Sequence, residues 1–409
     1  MSFNEKNKWW VSPSNYDEEV VAKFNFPKKI EFLDTTLRDG EQQPGIIFTK
    51  DEKVAIAKKL AEAGVQRIEA GAPAVLKEDA EAIREIADLG FENTTIYAFV
   101  RSMVKDMELA RKCGVQGVLT EIPGSEHLLK VGKRWTIKQA IDAAIEGTLA
   151  AHELGMQVSF FPADSSRADM SFLIDAVSAI AEKGHMDSLV LVDTFGVFSP
   201  EGAAQRVRQL KKCFPDTPLE VHFHDDFGLG VATTIAGLGA GAEVCHVTVN
   251  GIGERAGGGQ LEAIATALEA LYGQKTGLDM TKFKSLSEFV AKAAQMPVPP
   301  TKPIVGDDIF QWETGLPSSL WVNVKDIDPL IMLPYHWDMT GHTEPRLLLS
   351  KKSGKDNVKT WLEKCHLSVP DDRLGELLNL VKYKSLHEHR RLTEVEFREL
   401  VDTLQHAAQ

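Results

Sequence analysis

The sequence predicts an α/β protein, a TIM (β/α)8 barrel followed by a smaller, mostly helical C-terminal accessory region. Three observations carry this. Short apolar runs alternate with longer amphipathic runs between residues 29 and 275, eight of each. Polar and charged residues gather at the C-terminal ends of the apolar runs. The alternation then stops, and prolines cluster near residue 300. A doubly wound open sheet is the rival, but it rarely runs to eight regular units and offers no closing strand.

KIEFLDTT (29–36) opens the series, followed by RIEAGAP (67–73), TIYAFV (95–100) and GVLTEIP (117–123). QVSFFPAD (157–164), SLVLVDTF (188–195), LEVHFHDD (219–226) and EVCHVTV (243–249) complete it. Each is short, mostly apolar and bounded by Gly, Pro, Asp or Thr, as buried parallel strands are. Between them lie helical stretches such as KDEKVAIAKKLAEAG (50–64), SFLIDAVSAIAEKG (171–184) and QLEAIATALEALYG (260–273), ending in a glycine suited to a helix C-cap. KSLSEFVAKAAQ adds one more helix, and MPVPPTKPIVGDD, with Pro297, Pro299, Pro300 and Pro303, reads as a linker. Helical stretches DNVKTWLEKC and TEVEFRELVDTLQ follow an irregular Trp- and Pro-rich segment. The expected organisation is an N-terminal extension (1–28), a catalytic barrel (29–275), a helix with Pro-rich linker (276–304) and accessory subdomains (305–409).

With 409 residues, 43% hydrophobic and 26% charged, the chain has an ordinary globular composition. Its net charge of −13 lacks the basic face that tracking a phosphate backbone needs, so no nucleic acid partner is expected. Four cysteines without CxxC spacing indicate neither a disulfide scaffold nor a zinc ribbon. No apolar run approaches roughly 18 residues and MSFNEKNKWWVSPSNYDEEV lacks an apolar leader core, so a cytoplasmic protein with no membrane partner is expected.

Chemistry in such barrels sits where the strands end. HFH (222–224) places two imidazoles at i and i+2 on a strand, hence on one face, which suits a divalent metal. Asp39, after strand one, is two strands from strand seven in a closed barrel and completes a set of two imidazoles and one carboxylate with His222 and His224. That mixed set accommodates Mg, Mn, Zn or Co. Arg38 suits a site that stabilises developing negative charge on oxygen, and Glu41 and Glu69 are the carboxylates to tune proton transfer or orient the metal's surroundings. Arg167, after strand five, joins Arg38 as a substrate-binding candidate. NGIGERAGGG (250–259) contains G-x-G-x-x-A but follows the last strand of the series, so it reads as a glycine-rich loop over the site, a lid or an acyl-carrier contact.

Taken together, LDTTLRDGEQQPG (33–45), IEAGAP (68–73), VDTFGVFSP (192–200), HFHDDFGLG (222–230) and NGIGERAG (250–257) closely resemble the DRE-TIM metallolyases. Among these the resemblance is to the 2-isopropylmalate, homocitrate and citramalate synthases; the same superfamily holds 3-hydroxy-3-methylglutaryl-CoA lyase and 4-hydroxy-2-oxovalerate aldolase. The resemblance implies a catalytic Arg38, metal ligands Asp39, His222 and His224, and Glu41 and Glu69 in the catalytic shell. It implies that Thr194 helps hold the 2-oxo acid carboxylate and that the protein is a homodimer. His127 sits where the synthases have a histidine after strand four, a substrate-binding candidate. VGDDIFQWETG (305–315) and LLLSKKSGKDNV (347–358) resemble the synthases' accessory segments, which favours a synthase over the shorter lyases.

Three departures from that pattern stand out. Gly258 replaces an asparagine, Trp312 and Pro317 replace two accessory histidines, and Ala163 replaces an acid. YHWDMTGH (335–342) offers a substitute acid–base in His336, with Tyr335 and His342 beside it. The resemblance implies a divalent-metal acyltransferase, 2-isopropylmalate synthase-like, joining an acyl-CoA cosubstrate such as acetyl-CoA to a 2-oxo acid by Claisen condensation. A metal-dependent carbon–carbon lyase is the alternative, and a non-catalytic metal-binding paralogue a third reading.

Overall fold

A computed structural model describes residues 2–406. Eight parallel strands close into a barrel: β1 (Glu31–Asp34), β2 (Arg67–Glu69), β3 (Thr95–Arg101), β4 (Gly117–Pro123), β5 (Gln157–Ala163), β6 (Ser188–Asp193), β7 (Leu219–Phe223) and β8 (Val244–Val247). Strand order follows the sequence, and β8 closes on β1 with His246 opposite Leu33. The crossover helices are α1 (Lys50–Glu62), α2 (Lys77–Asp88), α3 (Val104–Lys112), α4 (Ile137–Glu153), α5 (Met170–Lys183), α6 (Pro200–Cys213), α7 (Gly230–Leu238) and α8 (Leu261–Tyr272). Their starts follow local chemistry. Thr49 and Glu52 form a capping box on α1, Thr136 and Gln139 another on α4, and Ser199 caps α6 with Pro200 at its first position.

Alternate strand residues point inward and stack in layers. The middle is apolar, with Leu33, Tyr97, Leu119, Phe161 and Val190 in one cluster. Tyr97 takes the space that Gly117 leaves open, where a Cβ would stand 2.3 Å from the ring. The floor is ionic. Glu220, fully buried, accepts from Ser188 (2.6 Å), Ser159 (2.9 Å) and Arg67 (3.1 Å), and Arg67 also reaches Glu31 (2.8 Å). Burial disfavours the Glu220 charge, but the His246 hydrogen bond, Arg67 and Ser188 outweigh it and hold the carboxyl down to about 2.

The chain forms two compact units. One comprises residues 13–298 and the other residues 2–12 with 299–406. The helix α9 (Phe283–Ala293), which the sequence assigns to a linker segment, belongs to the barrel unit, burying Phe283, Leu286 and Val290. Its Ser287 exchanges hydrogen bonds with Asn250 (3.0 and 2.5 Å), so it supports the loop after β8. The N-terminal stretch also divides. Residues 13–28 lie on the barrel unit, where Phe24 packs edge-on against Tyr272, whereas Glu5 and Trp9 pair as short strands in the second unit. That second unit has its own core of Leu349, Val358, Leu377, Val381, Phe397 and Val401. No helix among the described residues is long and apolar enough to cross a membrane.

Candidate metal centre and active site

The C-terminal mouth of the barrel brings Asp39, His222 and His224 together, one ligand atom from each lying within 4.8 Å of the others, all three buried. Asp39 comes from the turn after β1, His222 from β7, and His224 from just past its end in a bridge with Gly258. The two Nε2 atoms are 3.3 Å apart. Hydrogen-bond partners assign the tautomers. His224 Nδ1–H donates to the Gly257 carbonyl (3.1 Å), leaving its Nε2 a lone pair. His246 donates Nε2–H to Glu220 (2.7 Å), so its Nδ1 accepts from His222 Nδ1 (3.3 Å), and Nε2 of His222 is also left a lone pair. Burial, the neighbouring His224 and His246, and Arg38 hold the His222 imidazole well below its ordinary pKa, in its neutral form. Two lone pairs and a carboxylate facing one point, each imidazole braced behind, are the donor set a divalent cation takes.

Arg38 stands beside this group. Its Nε donates to Glu69 (2.7 Å), its Nη1 to Gln42 (3.0 Å), and its guanidinium lies 4.4 Å from the Phe99 ring centroid. Arg38 Nη2 and Glu69 Oε1 are buried without a hydrogen-bond partner among the described residues. Burial pushes the Glu69 carboxyl up against the pull of Arg38, while burial resists the Arg38 charge and Glu69 and Asp39 hold it. Buried groups left unpaired in a folded chain are costly, so the spare N–H of Arg38 reads as a donor kept for a ligand oxygen.

The other sequence candidates fall into three places. His127 and Arg167 converge on Asp164, His127 through Nε2 (2.8 Å) and Arg167 through a fork (2.6 and 2.9 Å). Thr194 Oγ1 accepts the Asp164 N–H (2.8 Å). Asp164 itself is fully buried with φ +65°, a left-handed conformation rare outside glycine that Ser125 (2.7 Å), His127, Arg167 and Thr194 maintain. The hydrogen bonds of Glu41 go elsewhere: it accepts the Phe48 N–H (2.9 Å) and pairs with Lys53 (2.6 Å). His336 lies in the second unit, bonded to Asp338 (2.5 Å) and stacked on Trp337 at 3.8 Å. The glycine-rich loop is pinned: Gly257 accepts from Asp225 N–H (2.9 Å) and His224, and a Cβ on Gly253 would meet Asp39 at 2.8 Å. It forms a wall of the centre rather than a free lid. Sequence reasoning missed Gln42, Glu220 and His246; the alternation that placed His222 inward also points Glu220 inward, and the β7–β8 register sets His246 beside His222.

Fold and site together define a class: parallel (β/α)8 barrels whose mouth joins a two-imidazole, one-carboxylate centre to a buried arginine. The chain belongs to the HMGL-like family, whose model matches residues 29–290. It is 38% identical to a probable 2-isopropylmalate synthase of Ignicoccus hospitalis, covering 92% of this chain and 93% of that protein. It is 36% identical to a homocitrate synthase of Methanothermobacter thermautotrophicus over 92% of this chain and 93% of that one. With an (R)-citramalate synthase of Methanocaldococcus jannaschii it shares 36% identity over 86% of this chain and 70% of that one. Among solved structures, HMG-CoA lyase of Bacillus subtilis matches with a TM-score of 0.60 at 21% identity, covering 67% of this chain and 96% of that one. That likeness concerns the fold.

Proposed function

We propose that the protein is a divalent-metal-dependent acyltransferase that condenses an acyl-CoA, acetyl-CoA above all, with a 2-oxo acid to a 2-hydroxy dicarboxylate. The observation that carries this reading is the buried Arg38 with an unpaired Nη2 beside Asp39, His222 and His224. Relatives named as synthases of this type, 33–39% identical along most of the chain, support it.

Asp39, His222 and His224 would hold the cation, Mg, Mn, Zn or Co, which supplies Lewis-acid polarisation of the bound keto group. Arg38, fixed by Glu69 and Gln42, steadies the negative charge that develops on the keto oxygen. His127, Thr194 and Arg167, joined through Asp164, form the wall that we assign to substrate binding. Phe99 and Phe161 keep water from the reacting atoms, and the low local dielectric strengthens the Arg38 interaction. A homodimer in the cytoplasm is part of the same reading, with light scattering its check.

The test mixes the protein with Mn²⁺ or Mg²⁺, acetyl-CoA and a panel of 2-oxo acids, and follows free thiol. Thiol release that depends on both the metal and one 2-oxo acid is expected. Silence there, with pyruvate or oxaloacetate released from 2-hydroxy diacids, would replace condensation by cleavage.

A further inference from the structure

A Claisen condensation needs a group that removes a proton from the acyl α-carbon, and the carboxylates around the barrel mouth can be accounted for one by one. Asp39 belongs to the candidate metal centre. Glu69 is ion-paired with Arg38 (2.7 Å), Glu41 with Lys53 (2.6 Å) and Glu254 with Arg255 (3.5 Å). Asp164 is saturated by Ser125, His127 and Arg167, Asp193 accepts the Phe198 N–H (2.9 Å), Asp225 accepts the Gly230 N–H (2.5 Å), and Asp226 is ion-paired with Arg255 (2.8 Å). Glu121 differs from all of these in that its carboxyl has no hydrogen bond or ion pair among the described residues.

Its placement is defined by β4. Leu119 lies in the barrel's interior cluster, so Glu121, two residues on, faces the same way one layer nearer the mouth. The register sets it beside Arg101 on β3 and Phe161 on β5. The Phe161 ring is 5.1 Å from His222 and 5.9 Å from the Arg38 guanidinium, so the carboxyl and the candidate metal centre share one mouth. The charged groups it feels are Arg38, Lys133 and Glu254. Burial pushes its carboxyl above the usual range, Arg38 and Lys133 pull it back, and Glu254 pushes the same way as burial. A base that binds protons nearer neutral pH is a better match to proton abstraction than an ordinary carboxylate.

We propose that Glu121 is the general base that takes the α-proton of the acyl group. This rests on the acyltransferase reading above. The C–H pair becomes the enolate, and the enolate carbon bonds to the keto carbon of the 2-oxo acid. The carbonyl π pair becomes an alkoxide beside Arg38. The alkoxide takes a proton from solvent, Glu121 gives its proton back to solvent, and water cleaves the thioester to a carboxylic acid and the free thiol.

The test compares wild type, Glu121→Gln, Glu121→Asp and His336→Ala under saturating Mn²⁺, acetyl-CoA and the active 2-oxo acid. Glu121→Gln is expected to lower kcat by about 100-fold or more, the scale of a lost general base. Both KM values, Mn²⁺ affinity and thermal midpoint should stay near wild type, as a merely structural role would not allow. Glu121→Asp should recover part of the rate, and the acidic limb of the kcat–pH profile should vanish in Glu121→Gln. Turnover of Glu121→Gln within a few-fold of wild type overturns the proposal, as does loss in His336→Ala with Glu121→Gln fully active. A wild type that releases no thiol overturns the acyltransferase reading and this proposal with it.

Discussion

His222 is braced from behind through His246 to Glu220, and this chain of three makes its role testable one group at a time. Removing a ligand should cost more than removing a brace. His222→Ala or Asp39→Asn is expected to abolish Mn²⁺ binding in calorimetry, whereas Glu220→Gln or His246→Ala should weaken it by roughly 10–100-fold. Asp34 offers a pH test of the neighbouring turn. Fully buried and accepting from Thr36 N–H (2.9 Å) and Thr36 Oγ1 (3.0 Å), it is raised to about 7, chiefly by burial. A folded pKa above the unfolded one means that its contribution is fully present below about pH 4 and is lost as pH rises through 7. Between pH 4 and 8 the wild type should therefore lose stability, on the order of 4 kcal/mol, relative to Asp34→Asn, as read by urea unfolding. At this scale HFH and Asp39 were legible because i, i+2 spacing and the end of strand one declare a shared face. Glu220 and His246 were not, because a lone Glu or His in an apolar run shows its partner only once strand register is fixed.

The loop after β8 is the element most exposed to a single methyl group. Gly257 has φ +79°, and a Cβ there would stand 1.8 Å from the Gly251 carbonyl. Gly257→Ala is expected to cost at least about 2 kcal/mol in chemical unfolding, through left-handed strain and the clash with backbone. It should also weaken Mn²⁺ binding, since the Gly257 carbonyl orients His224. The barrel strands were readable from composition: SLVLVD is buried at every position, and an unbroken apolar run such as its LVLV is the mark of a strand covered on both faces. Their ends were less readable, because LDTT and HFHDD keep the strand's residue types after the ladder stops at Asp34 and Phe223. The helix α9 reads as a helix in sequence, but nothing local says which core receives Phe283 and Leu286.

At the scale of the chain, two cores divide the labour. Phe397 is fully buried in the second unit, touching Trp361 at 5.6 Å between centroids. Phe397→Ala should destabilise that unit by about 3–5 kcal/mol while leaving Mn²⁺ affinity at the barrel unchanged, since sites without shared partners act independently. The assignment of residues 2–12 to that second core was invisible in sequence, because pairing across hundreds of positions leaves no periodic trace. The ionic floor has a kinetic meaning as well. Glu31, Arg67, Ser159, Ser188 and Glu220 tie the base of the barrel shut with hydrogen bonds, so among the described residues the way in lies at the mouth. In a blind-ended vessel, whatever lies deepest must enter first and leave last, and the small acid at the centre would be sealed in by the acyl carrier that follows it.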